Sequence, residues 1–399
     1  MINYCVYPFR HISINVLGYF QACCVDTEGF QTRVQDVEDI YEWWETNQES
    51  KNLRQDFLTD QKPSRCRNCW QQEAQGLPSM RTKNLEHLSK KLTSPQLFDV
   101  EITGGRLCNL ACKMCGPTPS TLIAKESRPW NNSNNHPKFK DSYNWLDDSV
   151  QQEKVVELLS RPECRVLYFT GGEPQIMPCY QELLNKWSTV DDLSKKKIHF
   201  NTNSTVFNQD FWSQVAKFGD KIVDLSIDGV GDAYDYLRLG GSWSKTQQAA
   251  LQTANYISSI DQTSINWLSL VSVFQLGNID QALPLQQFYE LLNVDRHIDA
   301  KYFTDFILLP VTDNPGYSAQ QIPVPILEQE YAKIKDCSAD QIVLAKFKQF
   351  IESALEHNQF GPSSADDVLK KEKYFARVHN KSLFDRKPEW YRYYKPYDQ

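Results

Sequence analysis

The chain has 399 residues, enough for two or three ordinary domains or for one α/β barrel with a smaller appended domain. Hydrophobic residues make up 41% of the chain and charged residues 23%, which excludes collagen-like, low-complexity and wholly disordered classes. With 43 Lys and Arg against 50 Asp and Glu, the net charge of -7 gives no general basic field, so nucleic-acid binding is not expected.

Cysteine is the most informative residue type in this sequence. No apolar segment approaches the roughly 18 residues of a membrane-spanning helix, and the first ten residues lack the regions of a secretory signal. We therefore expect a cytoplasmic protein with no membrane contact, whose thiols are reduced. The 11 cysteines are odd in number and eight of them precede residue 116, which favours metal ligation over disulfides.

A strand-then-helix rhythm begins near residue 97 and predicts a parallel sheet. Six segments have the length and composition of strands: Phe98–Ile102, Arg165–Phe169, Lys197–Phe200, Ile222–Ser226, Trp267–Val271 and Tyr302–Leu309. Helix-length segments separate them: Val150–Leu159, Tyr180–Trp187, Gln209–Phe218, Lys245–Ile257 and Ala282–Leu292. Six such βα units predict an α/β fold, an open, partial (β/α)6 barrel over residues 96–310.

The segments before and after this barrel differ from it in composition and pattern. Residues 1–95 hold five cysteines, short hairpin-like pieces and one predicted helix near Val37–Glu45, which predicts a separate metal-bound module. Residues 311–399 form a predicted helical extension, with helical periodicity over Leu327–His357 and an aromatic tail over Pro388–Gln399. We expect the tail to pack over the barrel, with stacking on bases as the alternative. The polar stretch Pro129–Pro137 is predicted to be a surface insertion.

Three cysteines follow the first predicted barrel strand directly: Cys108, Cys112 and Cys115. The carboxyl ends of parallel barrel strands are where such folds place their chemistry. A short loop with these spacings can wrap three thiolates around a [4Fe–4S] cluster and leave one iron open to a chelating ligand. The alternatives are a zinc knuckle that lacks its fourth ligand and a buried cluster of thiols.

This Cys-x3-Cys-x2-Cys motif after a first barrel strand resembles that of the radical S-adenosylmethionine (radical SAM) superfamily. The tripeptide Gly171-Gly172-Glu173 ends the second predicted strand and resembles the family's element for the amino group of S-adenosylmethionine. The resemblance covers roughly residues 97–310. It implies a [4Fe–4S] cluster with an open iron site, S-adenosylmethionine as cofactor, and its reductive cleavage to a 5′-deoxyadenosyl radical that abstracts a substrate hydrogen.

The same resemblance implies further cofactor contacts after the third and fourth predicted strands. The family's ribose and carboxylate contacts correspond to Asn201, Asn203, Ser226, Asp228 and Arg238. An alternative for Asp228-Gly229 is a tight hairpin turn. Met114 stands where the family usually has an aromatic residue, and its thioether can cover the adenine edge.

A second group of cysteines lies in the first 95 residues: Cys5, Cys23, Cys66 and Cys69. Gly18, between the first two, predicts a hairpin that brings both thiolates to one end. Four ligands would close a cluster, and the alternative is a four-thiolate zinc site. Cys24 can replace Cys23 as the ligand, because neighbouring side chains of a strand point to opposite faces.

The segment from Cys66 and Cys69 to Glu73, Gly76, Ser79 and Arg81 resembles that of radical SAM proteins with an N-terminal twitch module, a truncated relative of the SPASM domain. The resemblance implies an auxiliary [4Fe–4S] cluster. Such a cluster would accept an electron from the substrate radical, so we expect oxidation of a small-molecule or nucleotide-linked substrate, with an electron donor such as flavodoxin or ferredoxin. The alternatives are a peptide- or protein-modifying enzyme and a non-catalytic iron–sulfur or zinc protein in electron transfer or scaffolding.

The remaining cysteines and the histidine of the third strand have simpler explanations. Cys164, Cys179 and Cys337 have no partners at ligand spacing and are expected to be buried thiols. His199 is expected to be a core histidine, with a position facing the barrel interior as the alternative. No proton donor or acceptor is identified by the sequence.

Overall fold

A computed structural model describes residues 3–74, 79–85, 91–126, 128–129, 144–260, 265–293, 302–310 and 317–398. Apart from Pro129, the predicted surface insertion Pro129–Pro137 lies outside the described residues, and so does Gly76. None of the helices in the described ranges has the length and apolar character needed to span a bilayer.

One sheet of eight strands organises the described residues. The strands are β1 (His11–Ile14), β2 (Phe20–Gln21), β3 (Asp99–Thr103), β4 (Val166–Thr170), β5 (Lys197–Thr202), β6 (Asp220–Ser226), β7 (Asn266–Phe274) and β8 (Tyr302–Pro310). Their spatial order is β2-β1-β3-β4-β5-β6-β7-β8. Each pair from β3 to β8 is parallel, and β1 is parallel to β3 but antiparallel to β2.

Helices lie before, between and after these strands. In the N-terminal part they are α1 (Tyr7–Arg10), α2 (Ile40–Thr46), α3 (Gln48–Leu58), α4 (Arg67–Ala74) and α5 (Met80–Leu85). Between the strands of the sheet they are α6 (Thr121–Glu126), α7 (Ser149–Ser160), α8 (Pro178–Val190), α9 (Gln209–Val215), α10 (Asp232–Leu237), α11 (Trp243–Ser259) and α12 (Ala282–Asn293). The C-terminal helices are α13 (Val324–Ile334), α14 (Ile342–Glu356), α15 (Pro362–His379) and α16 (Leu383–Arg386).

The predicted partial barrel is confirmed, with every predicted strand within three residues of an observed one. The six parallel strands β3 to β8 are joined by helical crossovers, as parallel neighbours require. Alternate residues of these strands, such as Leu167, Phe169, Ile198 and Phe200, are fully buried in one hydrophobic core. This apolar alternation is the reason that the sequence pattern located the strands.

Residues 1–95 are joined to the barrel more closely than the expected separate module. Strand β1 pairs in parallel with β3 along its whole length, from His11 opposite Asp99 to Ile14 opposite Ile102. The predicted hairpin around Gly18 is present, because β1 and β2 pair in antiparallel fashion on either side of it. The N-terminal segment therefore extends the barrel sheet at its first edge. It also contains more helix than the single element predicted near Val37–Glu45.

The C-terminal extension is helical, as predicted, but the periodic segment Leu327–His357 divides into α13 and α14. The side chain of Gln341 accepts a hydrogen bond from the backbone N–H of Ser338 at 3.1 Å, in the turn between the two helices. In the aromatic tail, Trp390 and Tyr394 have no exposed surface and belong to the main hydrophobic core. The tail therefore packs onto the fold, which was the preferred interpretation.

We predict that Trp390→Ala lowers the free energy of unfolding by about 3–5 kcal/mol, because a fully buried indole leaves a large cavity. Urea unfolding followed by circular dichroism measures this change. The exposed neighbour Glu389 gives the matched control, and Glu389→Ala should change stability by less than about 0.5 kcal/mol. Equal stability of the two variants would contradict packing of the tail against the core.

Candidate active site

The cysteine loop begins at the carboxyl end of β3 and is fixed by its own backbone. The N–H groups of Ala111 and Lys113 donate to the carbonyl groups of Leu239 and Leu237, at 2.8 and 2.9 Å. The buried guanidinium of Arg128 donates to the carbonyl groups of Ala111, Cys112 and Cys115. These contacts hold the polypeptide between the three predicted ligands in one conformation.

Two thiols of the loop, Cys108 and Cys112, meet side-chain donors from other elements, one after β5 and one after α10. The side-chain amide of Asn203 lies 3.7 Å from the Cys108 Sγ atom, and the Arg238 guanidinium lies 3.8 Å from the Cys112 Sγ atom. A hydrogen bond from Cys115, followed by the charges of Arg238 and Arg128, lowers the pKa of Cys112 to about 7 despite its burial. The same hydrogen bond raises the pKa of Cys115, and burial raises the pKa of Cys108 to about 11, so a bound metal would displace their protons.

Asp228 positions Arg238 and is itself fully buried. Its carboxylate accepts from the Arg238 guanidinium at 2.7 Å and from the backbone N–H of Val273 at 2.7 Å. Its backbone carbonyl accepts from the side chain of Asn278 at 2.9 Å. Asp228 thus ties the ends of β6 and β7 together and aims Arg238 at Cys112. The hairpin alternative for Asp228-Gly229 is excluded, since β6 and β7 are parallel.

The glycines of the Gly-Gly-Glu element are required by the cysteine loop itself. Gly171 has a φ of 114°, and a Cβ atom there would lie 2.5 Å from the carbonyl oxygen of Gly105. A Cβ atom on Gly172 would lie 2.1 Å from the carbonyl oxygen of Leu107. The backbone N–H groups of Gly172 and Glu173 donate to these same two carbonyl oxygens, at 3.1 and 2.8 Å. The backbones of the element and the cysteine loop are therefore in direct contact, and there is no room for a side chain at Gly171 or Gly172.

Glu173 has no exposed surface and lies between these strand ends. One carboxylate oxygen accepts from the Thr202 hydroxyl at 2.8 Å and the other from the backbone N–H of Asn203 at 2.6 Å. The backbone N–H of Gln175 donates to it as well, at 3.2 Å. A carboxylate has about four acceptor positions, so about one is left for a ligand. Burial, only partly offset by these hydrogen bonds, raises the pKa of Glu173 to about 7.

The other predicted cofactor residues lie around the same edge of the sheet. Asn203 is buried beside Cys108, while Asn201 and Ser226 are half-buried at the ends of β5 and β6. Asn201 accepts a hydrogen bond from the Tyr168 hydroxyl at 2.6 Å. Met114 is half-buried and packs against the hydrophobic core. Thus Asn203, Glu173 and Arg238 come together with the cysteine loop, while Asn201 and Ser226 are half-buried at the ends of the neighbouring strands.

In the N-terminal segment, an ion pair holds the two halves of the second cysteine group together. The buried Asp26 carboxylate receives a bidentate contact from Arg65, with an Nη2 to Oδ2 distance of 2.8 Å. Asp26 closes the turn after Cys23, and Arg65 directly precedes Cys66. The backbone N–H of Thr27 donates to the Arg65 carbonyl at 3.1 Å. The loop of Cys23 and the loop of Cys66 are therefore neighbours.

The residues that follow Cys69 in the predicted motif form one hydrogen-bonded unit. Arg81 makes two contacts with the Glu73 carboxylate, one of them at 2.9 Å, and Ser79 donates to the same carboxylate at 2.6 Å. Arg81 also donates to the backbone carbonyl of Tyr4 at 2.8 Å. Because Tyr4 precedes Cys5, this unit ties the segment of Cys5 to the helix that carries Cys69.

Burial and neighbouring charges raise the pKa values of Cys5, Cys23 and Cys66. For Cys5, burial is the largest cause of the raised pKa, and the charges of Cys66 and Cys69 add to it. Burial, and then the Asp26 and Cys69 charges, raise the pKa of Cys66 to about 12. For Cys23, the sulfur atoms of Cys24 and Cys5 add to the effect of burial. Cys5, Cys23, Cys66 and Cys69 are thus close enough to interact, and a bound metal would displace their protons.

Cys24, the alternative ligand to Cys23, is also close enough to interact with Cys23 and Cys69. Its thiol makes a hydrogen bond to Glu101 on β3, and burial together with that carboxylate raises the pKa of the thiol. Within the described residues, no three Cys, His, Asp or Glu side chains are arranged around one metal ion. A [4Fe–4S] cluster places its ligands on different irons, so its ligands need not converge on a single point.

The three cysteines that are not spaced as metal ligands are wholly or partly buried in the fold. Cys164 and Cys179 are buried and Cys337 is half-buried. Cys179 lies 3.3 Å from the side-chain amide of Asn144 and 3.8 Å from the carbonyl oxygen of Gly104. It therefore packs under the start of the cysteine loop.

Comparison with protein families matches residues 102–273 to the Radical SAM superfamily. Residues 102–273 are a radical SAM domain. The match begins within β3, includes all three cysteines of the loop, and ends within β7. Radical SAM domains use a [4Fe–4S] cluster and S-adenosylmethionine. The residues fit these cofactors, since the loop carries three thiols, with a donor from Asn203 beside Cys108 and a donor from Arg238 beside Cys112.

Among solved structures, the chain is similar to anSMEcpe with bound AdoMet, at 17% identity over 71% of this chain and 68% of that one, with a TM-score of 0.42. It is also similar to Streptococcus suis SuiB bound to precursor peptide SuiA, at 13% identity over 68% of this chain and 58% of that one, with a TM-score of 0.37. The chain therefore spans about two thirds of the first protein and less of the second. A comparison with curated proteins finds no match.

A buried charge network behind the radical SAM domain was missed by sequence reasoning. Lys113, between Cys112 and Cys115, has no exposed side-chain surface, and its Nζ atom lies 3.2 Å from both carboxylate oxygens of Glu372 on α15. The same carboxylate accepts from the Tyr236 hydroxyl at 2.8 Å and the Leu383 backbone N–H at 2.6 Å. No local pattern could reveal partners that are 259 residues apart.

Glu173→Gln should change the pH dependence of stability in the cluster-free protein. The folded-state pKa of Glu173 is raised from about 4.5 to about 7, so the folded protein keeps a proton that the unfolded chain releases in this window. Its contribution to stability is present at low pH and is lost as the pH rises. We expect the difference in unfolding free energy between the unmodified protein and Glu173→Gln to fall by roughly 2 kcal/mol between pH 5 and pH 7. A constant difference in urea unfolding would refute this.

Glu372→Gln should destabilise the protein by roughly 3–5 kcal/mol, because it leaves Lys113 buried without its counter-charge. The Gln side chain keeps one carbonyl oxygen, so it can accept from the Tyr236 hydroxyl or from the Leu383 N–H but not from both. Adding Lys113→Met to Glu372→Gln removes the unpaired charge and should recover part of the loss, which a double-mutant cycle of urea unfolding measures. The exposed pair of Lys370 and Asp366 on the same helix is the matched control, with an expected effect under about 1 kcal/mol.

Proposed function

We propose that this chain is a radical SAM enzyme that oxidises a polar small molecule and passes an electron to an auxiliary cluster at its N-terminal cysteines. The observation that carries the proposal is the meeting of the cysteine loop, Glu173, Asn203 and Arg238 at the carboxyl ends of β3 to β6. When bound, the cluster and S-adenosylmethionine supply a radical that abstracts one hydrogen atom from the substrate. All other roles fall to the residues of the chain.

Cys108, Cys112 and Cys115 would ligate the cluster, leaving one iron for S-adenosylmethionine. The amide of Asn203 and the guanidinium of Arg238 would donate to the ligand sulfur atoms, as their distances of 3.7 and 3.8 Å support. Hydrogen bonds and positive charge at the sulfur atoms stabilise the thiolate form and raise the reduction potential of a cluster. The chain thereby eases delivery of an electron to this site.

S-adenosylmethionine would bind along the edge formed by the Gly-Gly-Glu element and the ends of β5 and β6. Glu173 would receive the amino group, since a cation beside a buried carboxylate restores the charged form that burial disfavours. Asn201 and Ser226 are half-buried at this edge and would contact the ribose. Met114 would cover the adenine. Asp228 would act through Arg238, because both of its carboxylate oxygens are already engaged.

The second cysteine group supports an auxiliary cluster as electron acceptor. Cys5, Cys23, Cys66 and Cys69 would be its ligands, and the Asp26–Arg65 pair and the Glu73–Arg81 unit hold their segments together. Four protein ligands would leave no iron open to substrate, which suits electron transfer. A four-thiolate zinc site is the alternative and would favour redox-neutral chemistry. A flavodoxin or ferredoxin would reduce the first cluster.

The face of the sheet that lies opposite the core supports a polar substrate. Four neighbouring strands place polar side chains close together on this face. Tyr168 on β4 stands opposite both Glu101 on β3 and His199 on β5. Two residues after His199, Asn201 stands opposite Asp224 on β6. Hydroxyl- or amine-bearing molecules would match these side chains. A peptide substrate is the second candidate, and a non-catalytic electron-transfer protein is the alternative from a different class.

The test is metal analysis of the anaerobically reconstituted protein, with S-adenosylmethionine cleavage measured under dithionite. We expect about eight irons per chain, the sum of two cubanes, with matching sulfide and with formation of 5′-deoxyadenosine. Cys112→Ala together with Cys115→Ala should abolish 5′-deoxyadenosine and remove about four irons. Cys66→Ala together with Cys69→Ala should remove the other four, while the control Cys337→Ala should remove none.

Other results would decide between the alternatives. Four irons and one zinc per chain would retain the radical chemistry and remove the auxiliary cluster. Two full clusters without 5′-deoxyadenosine would indicate the electron-transfer protein. Little iron in either site would overturn the whole proposal.

A further inference from the structure

The face of the sheet opposite the hydrophobic core carries polar side chains in register. In β4 and β5, buried and half-buried residues alternate, so one face packs in the apolar core and the other is only partly exposed. Tyr168 stands directly opposite His199, and Asn201 directly opposite Asp224. His199 therefore lies on the polar face and not in the apolar core, where it was expected. We refer to Tyr168, His199, Asn201 and Asp224 as the polar cleft group.

Direct contacts join the polar cleft group. The Nε2 atom of His199 lies 2.8 Å from an Asp224 carboxylate oxygen, and the imidazole stacks on the Tyr168 ring at a centroid distance of 4.1 Å. The Tyr168 hydroxyl donates to Asn201 at 2.6 Å. Burial, and then the Asp224 carboxylate, raise the pKa of Tyr168, so its hydroxyl stays protonated and keeps this role.

Two atoms of the polar cleft group can each accept a further hydrogen bond. Asp224 is 6% exposed, and its second carboxylate oxygen has no hydrogen-bond partner among the described residues. A buried acceptor without a hydrogen-bond partner is destabilising, so a donor from a ligand or from solvent is favoured at this oxygen. The contact to Asp224 places a proton on Nε2 of His199, which leaves Nδ1 as an acceptor on a side chain that is 25% exposed.

The polar cleft group lies between the two cysteine groups of the protein. On one side, Asn201 is two residues before Asn203, whose amide reaches the Cys108 sulfur atom. On the other side, Tyr168 stands opposite Glu101, to which the Cys24 thiol is hydrogen-bonded. A molecule held by this group would therefore face the radical SAM site and the N-terminal cysteines at once.

We infer that the polar cleft group is the substrate site, that it takes a molecule with a hydroxyl group on the carbon that loses hydrogen, and that His199 accepts the hydroxyl proton. This inference rests on the proposed function. The carbinol carbon gives up one hydrogen atom. The hydroxyl proton then passes to Nδ1 of His199, and one electron passes to an iron–sulfur acceptor, so that a carbonyl group forms and two electrons have left the substrate.

Asp224 and Tyr168 would serve His199 in this step. Asp224 holds the imidazole in the tautomer with an acceptor at Nδ1 and stabilises the imidazolium that forms, as carboxylates do beside catalytic histidines. Tyr168 fixes the plane of the ring by stacking and holds Asn201. The unpartnered oxygen of Asp224 would accept a second hydroxyl group, which favours polyols and sugars over simple alcohols.

The test uses the reconstituted holoprotein with glycerol, myo-inositol and glucose, each deuterated at its carbinol carbons. We expect one of these probes to transfer deuterium into 5′-deoxyadenosine. In His199→Gln, the ratio of carbonyl product to 5′-deoxyadenosine should fall about 100-fold, which is typical for loss of a general base. The exposed His357 provides the matched control, and His357→Gln should keep the ratio of the unmodified protein. Asp224→Asn, which retains the side-chain size, should lower the ratio as well.

A measurement without turnover separates this inference from the proposed function. The chain has seven histidines, and in the protein labelled with ¹³C-histidine the signal missing from His199→Gln belongs to His199. Under anaerobic, oxidised conditions, the probe that transfers deuterium should shift this signal more than the other six. If no 5′-deoxyadenosine forms at all, the proposed function fails, and the shift with the same three probes still decides the site.

Three results would overturn the inference. The first is an unchanged product ratio in both His199→Gln and Asp224→Asn. The second is 5′-deoxyadenosine that forms normally but never acquires deuterium from any of the three probes. The third is a His199 signal that none of the probes shifts.

Discussion

The contact between the cysteine loop and the Gly-Gly-Glu element is the constraint on which the site depends. Two backbone hydrogen bonds join Gly172 to Gly105 and Glu173 to Leu107, and side chains at Gly171 or Gly172 would collide with the loop. Because Cys108 directly follows Leu107, this contact sets the position of the first thiol relative to the Glu173 carboxylate. The spacing between the first predicted cluster ligand and Glu173 is thus set by the main chain, which varies less than side-chain rotamers.

Two buried ion pairs lie near this contact. Arg238 lies next to the sulfur of Cys112 and is oriented by Asp228, while Lys113 is oriented by Glu372 from the C-terminal helix α15. Each cation therefore has a dedicated carboxylate, which offsets the desolvation of a buried charge. The C-terminal extension is consequently part of the support of the loop, although it lies outside residues 102–273.

The sequence was most informative where local pattern and chemistry coincide. Alternating apolar residues located all six parallel strands, and the spacing of Cys108, Cys112 and Cys115 located the loop at a strand end. The roles of Asp228 and Lys113 could not be read this way, because each depends on a partner from another element. The sequence singled out Asn201 and the alternative of a barrel-facing His199, but not their grouping with Tyr168 and Asp224. The members of the polar cleft group are single polar residues at alternate positions of different strands, and only the register between strands brings them together.

The pairing of β1 with β3 bears on the order in which the protein can be assembled. Strand β1 is made early in synthesis but has no neighbour on its parallel side until residues 99–102 have left the ribosome. Contacts between segments so distant in sequence form late, because the intervening loop must first be closed. The segment of Cys5 and Cys23 thus gains its final position only after the barrel has begun to form. Any metal bound by these cysteines would then be loaded only after residues 99–102 are available to pair with β1.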